Sequence, residues 1–113
     1  MHEMSLCESI IESIRESADR EAFTQVRSVF LEIGKLAGVE LDSMRFGFDV
    51  LSRGTLLENA RLNIVSVPGA AKCCDCSNVV EIHERYSSCP FCGSFHLKII
   101  RGDELRIKNL EVV

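Results

Sequence analysis

The sequence predicts an α+β fold: two helices packed on a three-stranded sheet, with a small cysteine-rich lobe inserted into it. Three observations carry this. Apolar residues recur at helical spacing in two stretches, they alternate in three others, and five of the six cysteines crowd into residues 72–93. A chain of 113 residues is one domain's worth, or a small domain carrying a smaller one. The expected division is residues 1–68 plus 103–113 as the α+β domain and 69–102 as the inserted one. An apolar share of 46% suits a packed core and not a disordered chain. With six Phe, one Tyr and no Trp, that core must come mainly from Ile, Leu and Val.

Residues 5–20 read as an amphipathic helix. Leu6, Ile10, Ile14 and Ala18 recur every fourth residue with Cys7 and Ile11 beside them, while Glu8, Glu12, Arg15, Glu16 and Asp19 hold the other side. Ser5 with Glu8 fits a capping box. Cys7 reads as a small buried residue on the apolar stripe. "VRSVFLEIGKL" (26–36) is a strand, with Val29, Leu31 and Ile33 alternating against Ser28, Phe30 and Glu32 and Gly34 closing the run. "ELDSMRFGFDVLSRGT" returns to helical spacing, with Leu41, Met44, Phe48 and Leu51 on one face and Gly54 at the C-terminal cap. Gly47 inside that helix weakens it somewhat. "RLNIVSV" (61–67) is a second strand that stops at Pro68-Gly69. Beyond the cysteines, "FHLKII" is a short strand, Gly102-Asp103 a turn, and "ELRIKNLEVV" a last strand that returns to the sheet of residues 26–67.

Charge narrows the function classes. The net charge is −4 and no run of Lys or Arg builds a basic face, which argues against a general nucleic-acid binder. No apolar stretch reaches the length of a membrane span, and Glu3, Glu8, Glu12 and Arg15 interrupt any signal-peptide core. The expected setting is the cytoplasm, away from membranes. There, cysteines serve as metal ligands or buried thiols before they serve as disulfides.

The cysteine segment is "KCCDCSNVVEIHERYSSCPFCG": Cys73-x-x-Cys76, twelve residues, then Cys89-x-x-Cys92. Each knuckle turns two sulfurs toward one point, and two knuckles complete a tetrahedron. Soft sulfur donors in that geometry suit Zn(II), and an iron–sulfur cluster is also chemically allowed. A single redox Cys-x-x-Cys fits two pairs poorly. Four sulfurs leave no open position, so the site is structural and the chain no enzyme; no nucleophile–base arrangement is evident either. The spacer "SNVVEIHERYS" is long enough for a two-strand excursion, which makes the lobe zinc-ribbon-like. Cys74 is a surplus thiol that could compete with Cys73 for the ion, although Cys74-x-Cys76 is a tighter and less favourable knuckle; His83 and His96 flank the site without being needed in it.

The chain opens Met1-His2-Glu3. The α-amine of Met1, the amide nitrogen of His2 and its imidazole can close fused five- and six-membered chelate rings on one ion. The amide must lose its proton, which Ni(II) and Cu(II) can enforce, and both accept the planar nitrogen-rich geometry that results. The amide or the carboxylate of Glu3 can complete a fourth position. A bulky second residue also disfavours removal of Met1. The plain alternative is a histidine in an ordinary chain end.

The Met-His-Glu-Met-Ser-Leu opening, the strand carrying "LEIG", the following "GVE" and the two knuckles together resemble the hydrogenase-maturation nickel metallochaperones, the HypA/HybF family, over essentially the whole chain. That resemblance implies a protein that binds Ni(II) as transient cargo through Met1, His2 and Glu3 and delivers it to nickel-iron hydrogenase, with urease a client of some members. It implies a structural Zn(II) on Cys73, Cys76, Cys89 and Cys92, a GTPase partner, and a role at the hydrogenase large subunit. Glu40, in "GVE", matches an acidic residue implicated near the nickel in some members, and His96 is a looser candidate. Cys74 is extra to the family pattern. Apolar strand edges allow a homodimer. The competing class is a zinc-ribbon interaction module for protein or nucleic acid. Against nucleic acid, residues 73–92 carry Asp75, Glu81 and Glu84 against Arg85 alone, and aromatic stacking platforms look nearly absent.

Overall fold

A computed structural model describes residues 3–113. The order is α1 (Glu3–Glu21), β1 (Val26–Gly34), α2 (Leu41–Ser52), β2 (Arg61–Val67), β3 (Gly69–Cys73), β4 (Val79–Ile82), β5 (Leu97–Arg101) and β6 (Leu105–Val112). Two three-stranded sheets result, ordered β2-β1-β6 and β4-β3-β5. The chain divides into two compact units. One takes the chain up to Leu31, Val39–Ile64 and Ile107–Val113; the other takes Glu32–Gly38 and Val65–Arg106. Among the described residues no helix is long and apolar enough to cross a membrane.

In the first unit the helices pack on each other. The buried stripe of α1 is Cys7, Ile10, Ile11 and Ile14, the i, i+3, i+4, i+7 pattern of one helix face. Leu6 and Ala18, expected on that stripe, lie at its margins and are half-buried. The helix is already under way at Glu3, so Ser5 sits inside it and the expected Ser5–Glu8 capping box does not form. α2 buries Met44, Gly47, Phe48 and Ser52. Gly47, which weakened the helix in sequence, turns out to be what its packing requires. A Cβ there would stand 2.8 Å from Met4 Sδ and 3.2 Å from Cys7 Sγ. Its propensity cost of roughly 1 kcal/mol relative to Ala is accepted for that close approach. Gly54 has φ +76, the left-handed conformation expected of a residue just past a helix end.

β1 is the middle strand of its sheet, and Val29, Leu31 and Ile33 are buried along it as the alternation predicts. β6 returns to pair beside β1, as expected.

The second unit holds the main departure. The spacer between the knuckles forms one strand, β4, and not the expected two-strand excursion. Its partner is β3, upstream of the first knuckle, in the antiparallel register Gly69↔Ile82 to Lys72↔Val79, and β5 pairs on the other side of β3. β3 escaped notice because Pro68-Gly69 reads as punctuation and Gly-Ala-Ala lacks the bulky residues that mark strands. Gly69 is needed there, since a Cβ would lie 2.6 Å from the Ile82 carbonyl oxygen and 2.7 Å from Leu36 Cδ1. The core of this unit is Leu36, Ala71, Cys73, Val80, Ile82 and Cys89.

Gly34, the glycine of "LEIG", meets the turn before β6. Its N–H donates to the Glu104 carbonyl at 2.8 Å, and a Cβ on it would fall 1.9 Å from the Gly102 oxygen. Gly34→Ala must therefore displace backbone. Its expected cost reaches the upper end of the roughly 1–3 kcal/mol typical of overpacking, read as a lowered denaturation midpoint.

Candidate metal centre

β3 runs into the first knuckle and β5 leaves the second, so the sheet fixes where the knuckles face. Both are built alike. The Cys73 carbonyl accepts the Ser77 N–H at 2.9 Å and the Cys89 carbonyl accepts the Gly93 N–H at 2.8 Å. Cys73 N–H in turn donates to the Asn78 carbonyl at 2.9 Å, and Cys89 N–H to the Ser94 carbonyl at 2.7 Å. The residue after each second cysteine turns left-handed, Ser77 at φ 65 and Gly93 at φ 77. Chain reversal at the same offset brings each pair of thiols round to one side.

The result is a cluster of Cys73, Cys76, Cys89 and Cys92 whose sulfurs all lie within 4.8 Å of one another. Cys73 Sγ is 3.5 Å from Cys92 Sγ, and Cys76 Sγ is 3.6 Å from Cys89 Sγ. Zinc–sulfur bonds of about 2.3 Å at tetrahedral angles put sulfurs roughly 3.8 Å apart, so the donor set fits such an ion closely. Cys73 and Cys89 are buried, Cys76 is half-buried and Cys92 exposed. Backbone N–H of Cys76 reaches Cys73 Sγ at 3.4 Å and the Asn78 amide reaches Cys76 Sγ at 3.4 Å, both suited to a thiolate. Although the Ser94 backbone favours the Cys92 thiolate, shared hydrogen bonds with Cys73, Cys76 and Cys89 and desolvation outweigh it, and that thiol is pushed up to about 12.

Asp75, Ser94 and His96 brace the knuckles, a role their sequence positions do not announce. Asp75, inside the first, accepts a hydrogen bond from Ser94 Oγ just past the second. The His96 ring nitrogen Nδ1 lies 3.2 Å from the same Asp75 oxygen, and the His96 N–H donates to Ser94 Oγ at 3.0 Å. The Ser94 hydrogen bond holds the Asp75 carboxyl below its ordinary range, with His96 contributing less. An aspartate inside one knuckle and a serine two residues past the other were the available signals. His96 is thus engaged by Asp75, and His83 lies 3.8 Å from Glu81.

Cys74 stays out of the sulfur cluster; it is exposed and its N–H donates to the His96 carbonyl. Cys7 is fully buried, and burial, then the Glu3 charge, raises its thiol above the ordinary 9.0. Iodoacetamide at neutral pH is therefore expected to alkylate Cys74 and spare Cys7 in the folded, zinc-loaded protein, as peptide mass spectrometry would read. The segment is also less poor in aromatic surface than expected, for Tyr86, Phe91 and Phe95 are all largely exposed.

Of the amino-terminal candidates, Met1 and His2 lie outside the described residues. Glu3 and Glu40, far apart in sequence, come together: the Glu40 N–H donates to Glu3 Oε2 at 3.1 Å. The Glu40 carboxylate caps α2, accepting the N–H groups of Asp42 at 3.1 Å and Ser43 at 3.2 Å.

The family model described as "Hydrogenase/urease nickel incorporation, metallochaperone, hypA" matches residues 1–112. The chain is 57% identical over 112 residues to the hydrogenase maturation factor HypA of Alkalilimnicola ehrlichii, and 51% identical to that of Azotobacter vinelandii, covering 99% of each chain in both cases. It is similar to the solution structure of the Ni metallochaperone HypA from Helicobacter pylori, with a TM-score of 0.73 and 28% identity over 100% of this chain and 98% of that one. Similarity on this scale reaches from the Met-His-Glu opening past both knuckles, and the chain belongs to the HypA family of hydrogenase/urease nickel-incorporation metallochaperones.

Proposed function

We propose that this chain carries Ni(II) on Met1, His2 and Glu3 and delivers it for nickel-iron hydrogenase maturation, while Cys73, Cys76, Cys89 and Cys92 hold a structural Zn(II). The observation that carries the reading is the four-cysteine cluster, which uses up the sulfur donors of the knuckles in a family member whose sequence also opens with the nitrogen-rich Met-His-Glu. A closed sulfur tetrahedron selects Zn(II), and an amine–amide–imidazole chelate selects a metal that accepts planar nitrogen coordination. The Glu3 side chain supports it further, because its bond to the Glu40 N–H ties down the residue directly after the chelating pair. In this reading Glu40 positions Glu3 and need not ligate.

Residues 1–68 with 103–113 then serve as the nickel-binding domain and 69–102 as the zinc-binding domain. The work is transfer without catalysis, in the cytoplasm, through a maturation GTPase and the hydrogenase large subunit. Exposed Phe91 and Phe95 give the zinc domain apolar surface for such protein partners. A nucleic-acid role would show as salt-dependent binding of DNA or RNA, which this reading expects to be absent.

His2→Ala is expected to abolish partner-dependent nickel transfer to apo-hydrogenase while leaving one zinc per chain. Transfer at the wild-type rate would refute the assignment.

A further inference from the structure

We propose that Met4, Cys7 and Met44 form a second metal site, selective for the soft monovalent ion Cu(I). Cys7 and Met44 meet where α1 packs on α2, and Met4 lies on α1 three residues before Cys7. Cys7 Sγ lies 3.6 Å from Met44 Sδ, and it also donates to the Met44 carbonyl at 3.3 Å. Met4 Sδ and Cys7 Sγ both crowd the space over Gly47, where a Cβ would stand 2.8 and 3.2 Å from them. The missing side chain of Gly47 is what lets the third sulfur approach.

The donors decide which ion suits. One thiol and two thioethers are soft, and sulfur ligands of this kind select Cu(I) over the harder divalent ions. Charge points the same way. Binding runs as Cu⁺ + Cys7–SH → Cys7–S–Cu + H⁺, with the proton passing to water and no electron transferred. The product is neutral, whereas a divalent ion on the same three donors would leave a net positive charge against two fully buried side chains, Cys7 and Met44. The Glu3 carboxylate, which acts on the Cys7 thiol, adds an attraction for an arriving cation. Met4 is 41% exposed, so the cluster is not sealed from solvent on its side.

The test is an anaerobic titration of the zinc-loaded full chain with Cu(I) buffered by bathocuproine disulfonate, reading copper bound and zinc released together. The first equivalent of Cu(I) is expected to bind with no zinc released and with a sulfur-only copper-edge absorption spectrum. Met4→Leu and Met44→Leu keep the packing volume and are each expected to weaken that equivalent at least about tenfold, since loss of even an outer partner costs a metal site ~10–100-fold. Cys7→Ser should remove it, and His2→Ala should leave it unchanged. Zinc release from the first equivalent onward, loss of the equivalent in His2→Ala, or wild-type copper affinity in both methionine variants would overturn the proposal.

Discussion

A tag of several residues fused ahead of Met1 is expected to weaken Ni(II) binding by about two orders of magnitude or more, since loss of even an outer-shell partner costs a metal site ~10–100-fold. The extension turns the α-amine into a peptide nitrogen, whose lone pair is delocalised and which binds only after a further deprotonation. The five-membered ring that includes the amine then cannot close. A tag at the other end, beyond Val113, is expected to leave the affinity as it is. Isothermal titration of the two tagged forms and the untagged protein checks this, and equal affinities would count against the chelate. Zinc content is expected to be the same in all three.

Replacing Cys89 by Ser, or stripping zinc with a chelator, is expected to unravel the β4-β3-β5 sheet. The core there holds Leu36, Val80 and Ile82 as its large aliphatic side chains, and two of its other members, Cys73 and Cys89, are themselves metal ligands in this account. Fully burying one such aliphatic side chain contributes roughly 1.5–3 kcal/mol, whereas structural zinc in small domains contributes about 10–16 kcal/mol of apparent binding free energy at neutral pH. Losing the ion therefore removes the larger part of what orders the knuckles. Hydrogen exchange reads this by segment. Amides of β3, β4 and β5 are expected to lose protection in Cys89→Ser while those of α1 and β1 keep theirs. Unchanged protection in all three strands would mean that the sheet stands without the metal.

How much of this was legible in the sequence depends on how local the determining physics was. Both helices, β1, β2 and the return of β6 follow from apolar periodicity, which the chain carries within each segment. The knuckles were legible because two thiols on one turn are a local signature and the pattern occurs twice. β3 was not, because Gly69-Ala70-Ala71 earns its place through what lies against it: Ile82 and Leu36 leave no room for a larger residue at Gly69. The brace of Asp75, Ser94 and His96 and the bond from Glu40 to Glu3 join residues distant in sequence, and no periodicity announces such bonds. Gly47 misled for the same reason, since its helix penalty is local and its packing value is not.

Delivery of one ion without loss of the other requires the two ions to keep to different donors. X-ray absorption at the nickel and zinc edges of the same untagged sample, loaded with one equivalent of Ni(II), measures this directly. The predicted result is nickel bound by nitrogen and oxygen in planar geometry, with zinc still held by four sulfurs. Nickel surrounded by sulfur, with zinc released to solution, would contradict it.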